Sequence, residues 1–418
     1  MCCVTRYIFS LLIIYIAHSE ELLSDCPTSS LSTTYGKLKT AILCDYDAYI
    51  RPVSNHQNAT AVYFKLILKY FTYDVIYSTL SLDAWMKVYW IDQHLVWNPD
   101  DYDNISSIYL ETYDIWTPDL SIYNRAEQGG NPSAIGSTRC TVSNKGSVIC
   151  VPSLHIDSLC VPDLRMYPYD SQVCALRVGS WVQKGEELDI KLLKEVVSQK
   201  AMEPNGEWEI ESYTAKKYAG RYCCPNVTFP SIEIKFKINR LHGAHAASII
   251  IPTVVVVILT FTSLVPSPVN TERLILCSIN LIVQFLHVQN LSWLIPLKGD
   301  RIPFLILFAR DSLLMSAIAL VFTIIFKSLM QRQTLAPIWI STLVSYVIGC
   351  VPGRYLFLND TSAKGVAAAT GVEDGMNIIS SDRKNPPDWE IFVKILDFIL
   401  LISYIIAYFI MAVKFIPS

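Results

Sequence analysis

Hydrophobic positions change their spacing twice along this chain, and the two changes divide it into three parts. The first nineteen residues carry Arg6, an apolar run from Tyr7 to Ala17 and a small-x-small ending at Ala17 to Ser19, a pattern that predicts a cleaved secretory leader and a mature chain starting near Glu20. From Val62 to Asn239 the apolar residues fall in short alternating or aromatic-rich runs separated by turn residues, with Asn144 to Gly146 as a hairpin tip. That spacing predicts an all-β, immunoglobulin-like sandwich, preceded by one helix over 36–49 that ends before the break at Arg51 to Val53.

After Arg240 the pattern becomes continuous. Ala244 to Thr271 carries no formal charge and Leu274 to Pro296 none beyond neutral His287, and each is long enough for a span of about 20 residues. A third apolar run, Pro303 to Phe326, contains adjacent Arg310 and Asp311, which are expected to pair or to face a wet interior. A fourth covers Phe392 to Val413, with Asp397 near its start. The uncharged stretch 335–353 reads as an amphipathic helix in the interface rather than a fifth span, because of Pro337 and the polar face of Ser341, Thr342 and Ser345. Four spans put Lys327, Arg332, Arg354 and Lys394 on the cytoplasmic side, as the positive-inside bias requires. The expected organisation is a leader (1–19), an extracellular β-sandwich (20–240), three transmembrane helices (241–327), a cytoplasmic loop (328–390) containing the 335–353 segment, and a fourth transmembrane helix with a short tail (391–418).

Composition agrees with a membrane protein bearing a large exposed domain: of 418 residues 52% are hydrophobic and 17% charged. A net charge of −3 argues against a nucleic-acid binder. Of twelve cysteines, Cys2 and Cys3 leave with the leader and Cys277 and Cys350 fall late, so an even number remains in the oxidised portion. The sequons at Asn58, Asn104 and Asn226 lie in that same portion. Seven scattered histidines, with no metal-spaced cluster, nucleophile elbow or phosphate-cradling loop, leave no case for an enzyme, a metal or a cofactor.

Cys160 and Cys174 bracket thirteen residues that include Tyr167, Pro168, Tyr169 and Asp170. This stretch resembles the signature loop of the pentameric Cys-loop receptors, departing from it at Pro162; a bond closing such a loop contributes roughly 3 kcal/mol in the chain-entropy account. Trp85 to Asp92, Leu95 to Pro99, Trp116 to Asn124, Gly179 to Trp181 and Pro204 to Trp208 are similar to segments of nicotinic acetylcholine receptor subunits, and the likeness runs from about Arg51 through the fourth span.

The resemblance implies a subunit of a neurotransmitter-gated cation channel, assembled with four further subunits in the bilayer of a postsynaptic, neuronal or muscle plasma membrane. Acetylcholine or a related amine would bind between subunits. Tyr123, Trp181, Tyr222, Cys223 and Cys224 would form the principal face, and Trp85, Ile149 and Val151 the complementary one, while Trp90, Trp97 and Trp116 would be structural. A cage of ring faces suits a quaternary ammonium, which has no hydrogen to donate. The adjacent Cys223 and Cys224 would be bonded, as in α-type subunits, with Cys140–Cys150 closing the hairpin and Cys26–Cys44 a further pair. The second tyrosine that α subunits carry beyond the cysteine pair is absent here, the chain running from Cys224 to Phe229.

In the second span, Glu272 would form an acidic selectivity ring, with Ile275, Ile279, Ile282 and Leu286 facing the channel. Arg273, Cys277, Asn280, Gln284 and His287 make a competing polar stripe about 100° away. Tyr167 to Asp170, Asp74 and Arg240 would couple binding to the pore. The alternative is a non-conducting or accessory subunit that works only in hetero-oligomers, motivated by the shortened loop and the isoleucine-lined face, or a channel gated by another amine.

Overall fold

The computed structural model describes residues 33–126, 133–221, 227–296, 301–332, 334–350 and 388–415. It divides into two compact units, one of residues 1–162 and 171–241, the other of residues 163–170 and 242–418.

The first unit opens on helix α1 (Thr34–Leu43), whose N-terminal Gly36 amide donates to the Thr33 hydroxyl. The helix stops six residues short of the expected end at position 49, giving way after Cys44 to turns in which the Tyr46 amide donates to the Leu43 carbonyl and the Tyr49 amide to Asp47. Eleven strands follow among the described residues: β1 (Thr60–Asp74), β2 (Thr79–Val96), β3 (Ser107–Glu111), β4 (Leu120–Ile122), β5 (Arg139–Ser143), β6 (Lys145–Cys150), β7 (Ser153–Leu159), β8 (Ser171–Ser180), β9 (Leu188–Ser198), β10 (Trp208–Gly220) and β11 (Phe229–Arg240). One sheet runs β3-β5-β6-β2-β1-β9, with β7 also on β2; the other runs β10-β11-β8-β4.

Period-two alternation explains the sandwich. On β1, Val62, Phe64, Leu66 and Leu68 are buried; on β2, every second residue from Leu80 to Trp90 is; on β11, Ile232, Ile234, Phe236 and Ile238 close the same core from the other sheet. Trp90 meets Trp116 edge-on at 5.9 Å, and Trp97 donates its indole N–H to the Ile105 carbonyl. The β5–β6 hairpin turns through Asn144 and needs glycine at 146, where φ is +77° and a Cβ would lie 2.1 Å from the Asp92 carbonyl oxygen.

The second unit holds α2 (Gly243–Leu264), α3 (Thr271–Leu294), α4 (Phe304–Met330), α5 (Ile338–Gly349) and α6 (Asp388–Phe415), of which α2, α3, α4 and α6 are long and apolar enough to cross a membrane. Helix α2 ends earlier than the hydropathy suggests because Pro266 and Pro268 cannot continue it. Helix α6 starts earlier than position 392, with Asp388 and Glu390 favourably placed in its first turn. The twelve residues of α5 rise only about 18 Å, short of a bilayer core of about 30 Å. It rests against α6 through Ile340, Val344, Trp389 and Ile395, with Ser341 donating to Asp388 at 2.6 Å.

A polar seam ties the long helices together. Arg273, fully buried on α3, donates to both oxygens of Asp397 on α6 at 2.7 and 2.6 Å, to the Pro266 carbonyl and to Thr323 on α4. Removing one partner of a buried pair leaves an uncompensated charge, at a cost of about 3 kcal/mol or more. Asp397→Asn is therefore expected to lower the unfolding temperature of the detergent-solubilised chain, and exchanging the two residues (Arg273→Asp with Asp397→Arg) to recover part of the loss; an unchanged Asp397→Asn would show that the pair does not hold these helices.

Candidate functional site

Strands β4 and β8 pair antiparallel with Leu120 opposite Ser180 and Ile122 opposite Val178, which places Tyr123 beside Arg177 and Trp181 beside Asp119 at the two ends of this short ladder. The Tyr123 and Trp181 rings meet edge to face at 6.3 Å, and Trp181 stays 66% exposed. The loop carrying Trp181 is pinned by Asp119, which accepts from the Ser180 hydroxyl at 2.7 Å and from the Val182 and Gln183 amides. The Tyr123 hydroxyl donates to the Ser180 carbonyl. Only a glycine at 179 leaves room for that phenol, because a Cβ there would lie 2.5 Å from the hydroxyl and 2.7 Å from the Ser231 Cβ.

Beside these rings lies a charged group that reading the sequence missed. Arg177 on β8 sits directly opposite Glu233 on β11 and donates to it at 2.9 Å, while Lys235 pairs with the same carboxylate at 3.3 Å. Burial alone would raise the Glu233 carboxyl, but the hydrogen bonds from Arg177 and Lys235 outweigh it and hold the group below the usual carboxylate range. Its signal is the pairing of two strands more than fifty residues apart, which no local pattern carries.

Trp85, Ile149 and Val151 lie elsewhere, on the seven-stranded sheet. Trp85 is 37% exposed with the Lys69 ammonium 5.0 Å from its ring; Ile149 stands opposite Tyr89, and Val151 follows β6. Two positions along the same face, His155 bridges Asp83 at 2.8 Å and Asp157 at 3.4 Å. Within one chain, then, the two groups sit on different sheets. Tyr222, Cys223, Cys224 and Asn226 lie outside the described residues, as does Cys26; Cys44 is disulfide-bonded.

Cys140–Cys150 and Cys160–Cys174 are bonded, the first joining directly opposed positions of the β5–β6 hairpin. The cysteines of the second bond belong to the β unit, whereas residues 163–170 between them belong to the helical unit. There Tyr167 and His245 Nδ1 share a 3.1 Å hydrogen bond, Tyr169 stacks on His242 at 4.7 Å, and the Arg165 carbonyl accepts from the Phe304 amide. Pro168 and Asp170 are buried. Arg240 closes β11, paired with Glu207 at 2.6 Å and lying 4.1 Å over the Trp208 ring; Asp74 ends β1 and takes the Tyr77 amide. Asn58 and Asn104 are exposed.

On α3 the two competing stripes separate cleanly. Arg273, Cys277, Asn280, Gln284 and His287 are buried inside the helical unit, bonded to hydroxyls of α2 and α4: both the Asn280 and Gln284 amides donate to Thr260, Gln284 also to Ser312, and His287 meets Thr253. Ile275, Ile279, Ile282 and Leu286 are 52–60% exposed, and Glu272 is exposed at the first turn. In this conformation the polar stripe is taken up within the bundle. Arg310 and Asp311 pair with each other at 2.7 Å.

The depressed Glu233 carboxyl makes a pH prediction. A group with a lowered folded pKa adds stability above its unfolded value, near 4.3, and that stability disappears as pH falls through the folded value. Glu233→Gln should unfold at lower temperature than the parent at pH 7, and the gap should close below about pH 4 in a series of melting curves; a gap independent of pH would remove the ion-pair account.

The neurotransmitter-gated ion-channel ligand-binding domain matches residues 36–242. Neuronal acetylcholine receptor subunit alpha-5 of Pan troglodytes is 28% identical over 329 residues, 77% of this chain and 68% of that protein. The alpha-5 subunit of Bos taurus is 30% identical over 305 residues (71% and 62%), and the alpha-2 subunit of Homo sapiens 28% over 357 (82% and 65%). The chain thus matches about two thirds of the length of these relatives. With its bridged thirteen-residue loop, β-sandwich and four apolar helices, it belongs to the Cys-loop family of neurotransmitter-gated ion channels and is similar to neuronal acetylcholine receptor alpha subunits.

Proposed function

We propose that the chain is one subunit of a pentameric, cation-selective channel of the plasma membrane, opened by acetylcholine or a related amine. The observation that carries this reading is the Tyr123–Trp181 pair, an exposed edge-to-face couple held by Asp119 and lacking a third wall among the described residues. Trp85, Ile149 and Val151 supply that wall from a neighbouring copy or partner, since they lie on the other sheet of their own chain. Tyr222, Cys223 and Cys224 complete the principal face. Glu272 forms the cytoplasmic acidic ring, Ile282 the apolar girdle that gates by dewetting, and the 163–170 segment transmits binding through its seat on α2 and α4. Asn58, Asn104 and Asn226 carry glycans.

Oocytes expressing the chain, challenged with acetylcholine, choline and biogenic amines, should pass a current that reverses at a cation potential. Trp181→Ala should raise the half-maximal agonist concentration roughly thirtyfold, the loss of about 2 kcal/mol of desolvated cation–π attraction. Gly179→Ala, which displaces Tyr123 without touching the ligand, should shift it in the same direction. A second reading, an accessory subunit, is favoured by the apolar Ile275 and Ile279 on the exposed face of α3. Silence of the chain alone despite surface labelling, with current restored by a partner subunit, would select it.

A further inference from the structure

The β unit contains a cavity of about 530 Å³ far along the chain from the aromatic pair, within the range of small-molecule pockets. Its wall is formed by the end of α1, the segment 45–50, and the end of β2 with the turn after it. Asp45, Asp47 and Asp101 contribute carboxylates, and Tyr46, Trp97 and Tyr102 contribute rings. Neither lysine nor arginine lines it. Lys39, on the same helix, is taken up by Asp114 at 3.1 Å.

A second observation comes from behind that wall. Asp92 is fully buried; it accepts from the Tyr46 hydroxyl at 2.6 Å and from the His94 amide at 2.9 Å, and both of those residues line the cavity. Burial, and then the neighbouring Asp92, push the Tyr46 phenol far above its ordinary range, so it remains a donor to that carboxyl. Among the described residues no cation pairs with Asp92. Its carboxyl is satisfied by these two neutral donors, which fixes Tyr46 and His94 in the cavity wall. The C-terminal end of α1, with Ala41 and Ile42 in the wall and no basic residue in its last turn, adds further negative potential.

We propose that this cavity binds an organic cation with an aromatic or aliphatic body, a site separate from the intersubunit cage. The ligand's charge answers the carboxylates, and its body covers the Tyr46, Trp97 and Tyr102 rings. A metal ion fits poorly, because no three histidine, cysteine or acidic side chains among the described residues are close enough together to ligate one. Carboxylates spread around a roomy aromatic cavity suit a bulky cation, whose charge is diffuse, better than a compact one.

The test is equilibrium binding of radiolabelled benzyltrimethylammonium to the full chain in detergent, on a Trp181→Ala background that disables the proposed agonist cage; it needs no current and so stands apart from the channel reading. Saturable binding at one site per chain is expected, weakened by rising salt and at least tenfold weaker in Asp45→Asn with Asp101→Asn. Asp100→Asn, outside the wall, should bind as the parent does, and neopentylbenzene, the neutral isostere, should compete poorly. Absence of saturable binding, equal binding by the double variant, or equal competition by the neutral isostere would each overturn the proposal.

Discussion

The register of β2 governs much of this molecule. Its inward side chains from Leu80 to Trp90 are all within 1% of complete burial, and its outward positions carry Asp83, Trp85 and Tyr89. Because side chains alternate with a period of two, a slip of one residue would bury the charged and indole groups and expose the core. Three strands hold it in place: β1 along Tyr63 to Asp74, β7 over Thr79 to Trp85 and β6 over Val88 to Ile91. The hairpin that delivers β6 is closed by Cys140–Cys150 and turned by Gly146, whose lack of a side chain lets it approach Asp92. The candidate complementary face, at the middle of β2, and the wall of the acidic cavity, at its end, therefore depend on one alternation.

Much of this was legible in the chain because it is local. Strand alternation, the four long apolar runs and the bracketed Tyr167–Asp170 segment are patterns within twenty or thirty residues. Boundaries moved where local chemistry intervened: Pro266 cut α2 short and Asp388 stands at the earlier start of α6, while α1 gives way to turns after Cys44. What could not be read was pairing across distance. Arg177 and Glu233 look like ordinary alternating polar positions until β8 and β11 are laid side by side, and Gly179 looks like a turn residue until Tyr123 is seen against it. Asp119 reads as part of a motif, but its work on the Ser180, Val182 and Gln183 donors depends on a loop sixty residues away.

The grouping of residues 163–170 with the helices has a physical basis. The segment offers Leu164, Tyr167 and Pro168 to an apolar surface and buries them, while Tyr169 and Tyr167 find ring partners in His242 and His245. Its two ends are held 5.2 Å apart at the Cα atoms by the Cys160–Cys174 bond.

Helix α3 shows how the solvent chooses a face when composition does not. Both stripes have helical spacing, so periodicity alone ranks them equally. In a membrane, however, each amide or guanidinium left without a partner costs several kcal/mol, and α2, α4 and α6 present Thr260, Ser312, Thr323 and Asp397 at the heights where Asn280, Gln284 and Arg273 need them. Taking up the Arg273 guanidinium and the Asn280 and Gln284 amide N–H groups inside the unit leaves Ile275, Ile279, Ile282 and Leu286 facing outward, although the Asn280 and Gln284 side-chain carbonyl oxygens find no hydrogen-bond partner among the described residues. A helix seated in this way turns only by exchanging bonds among hydroxyls already beside it.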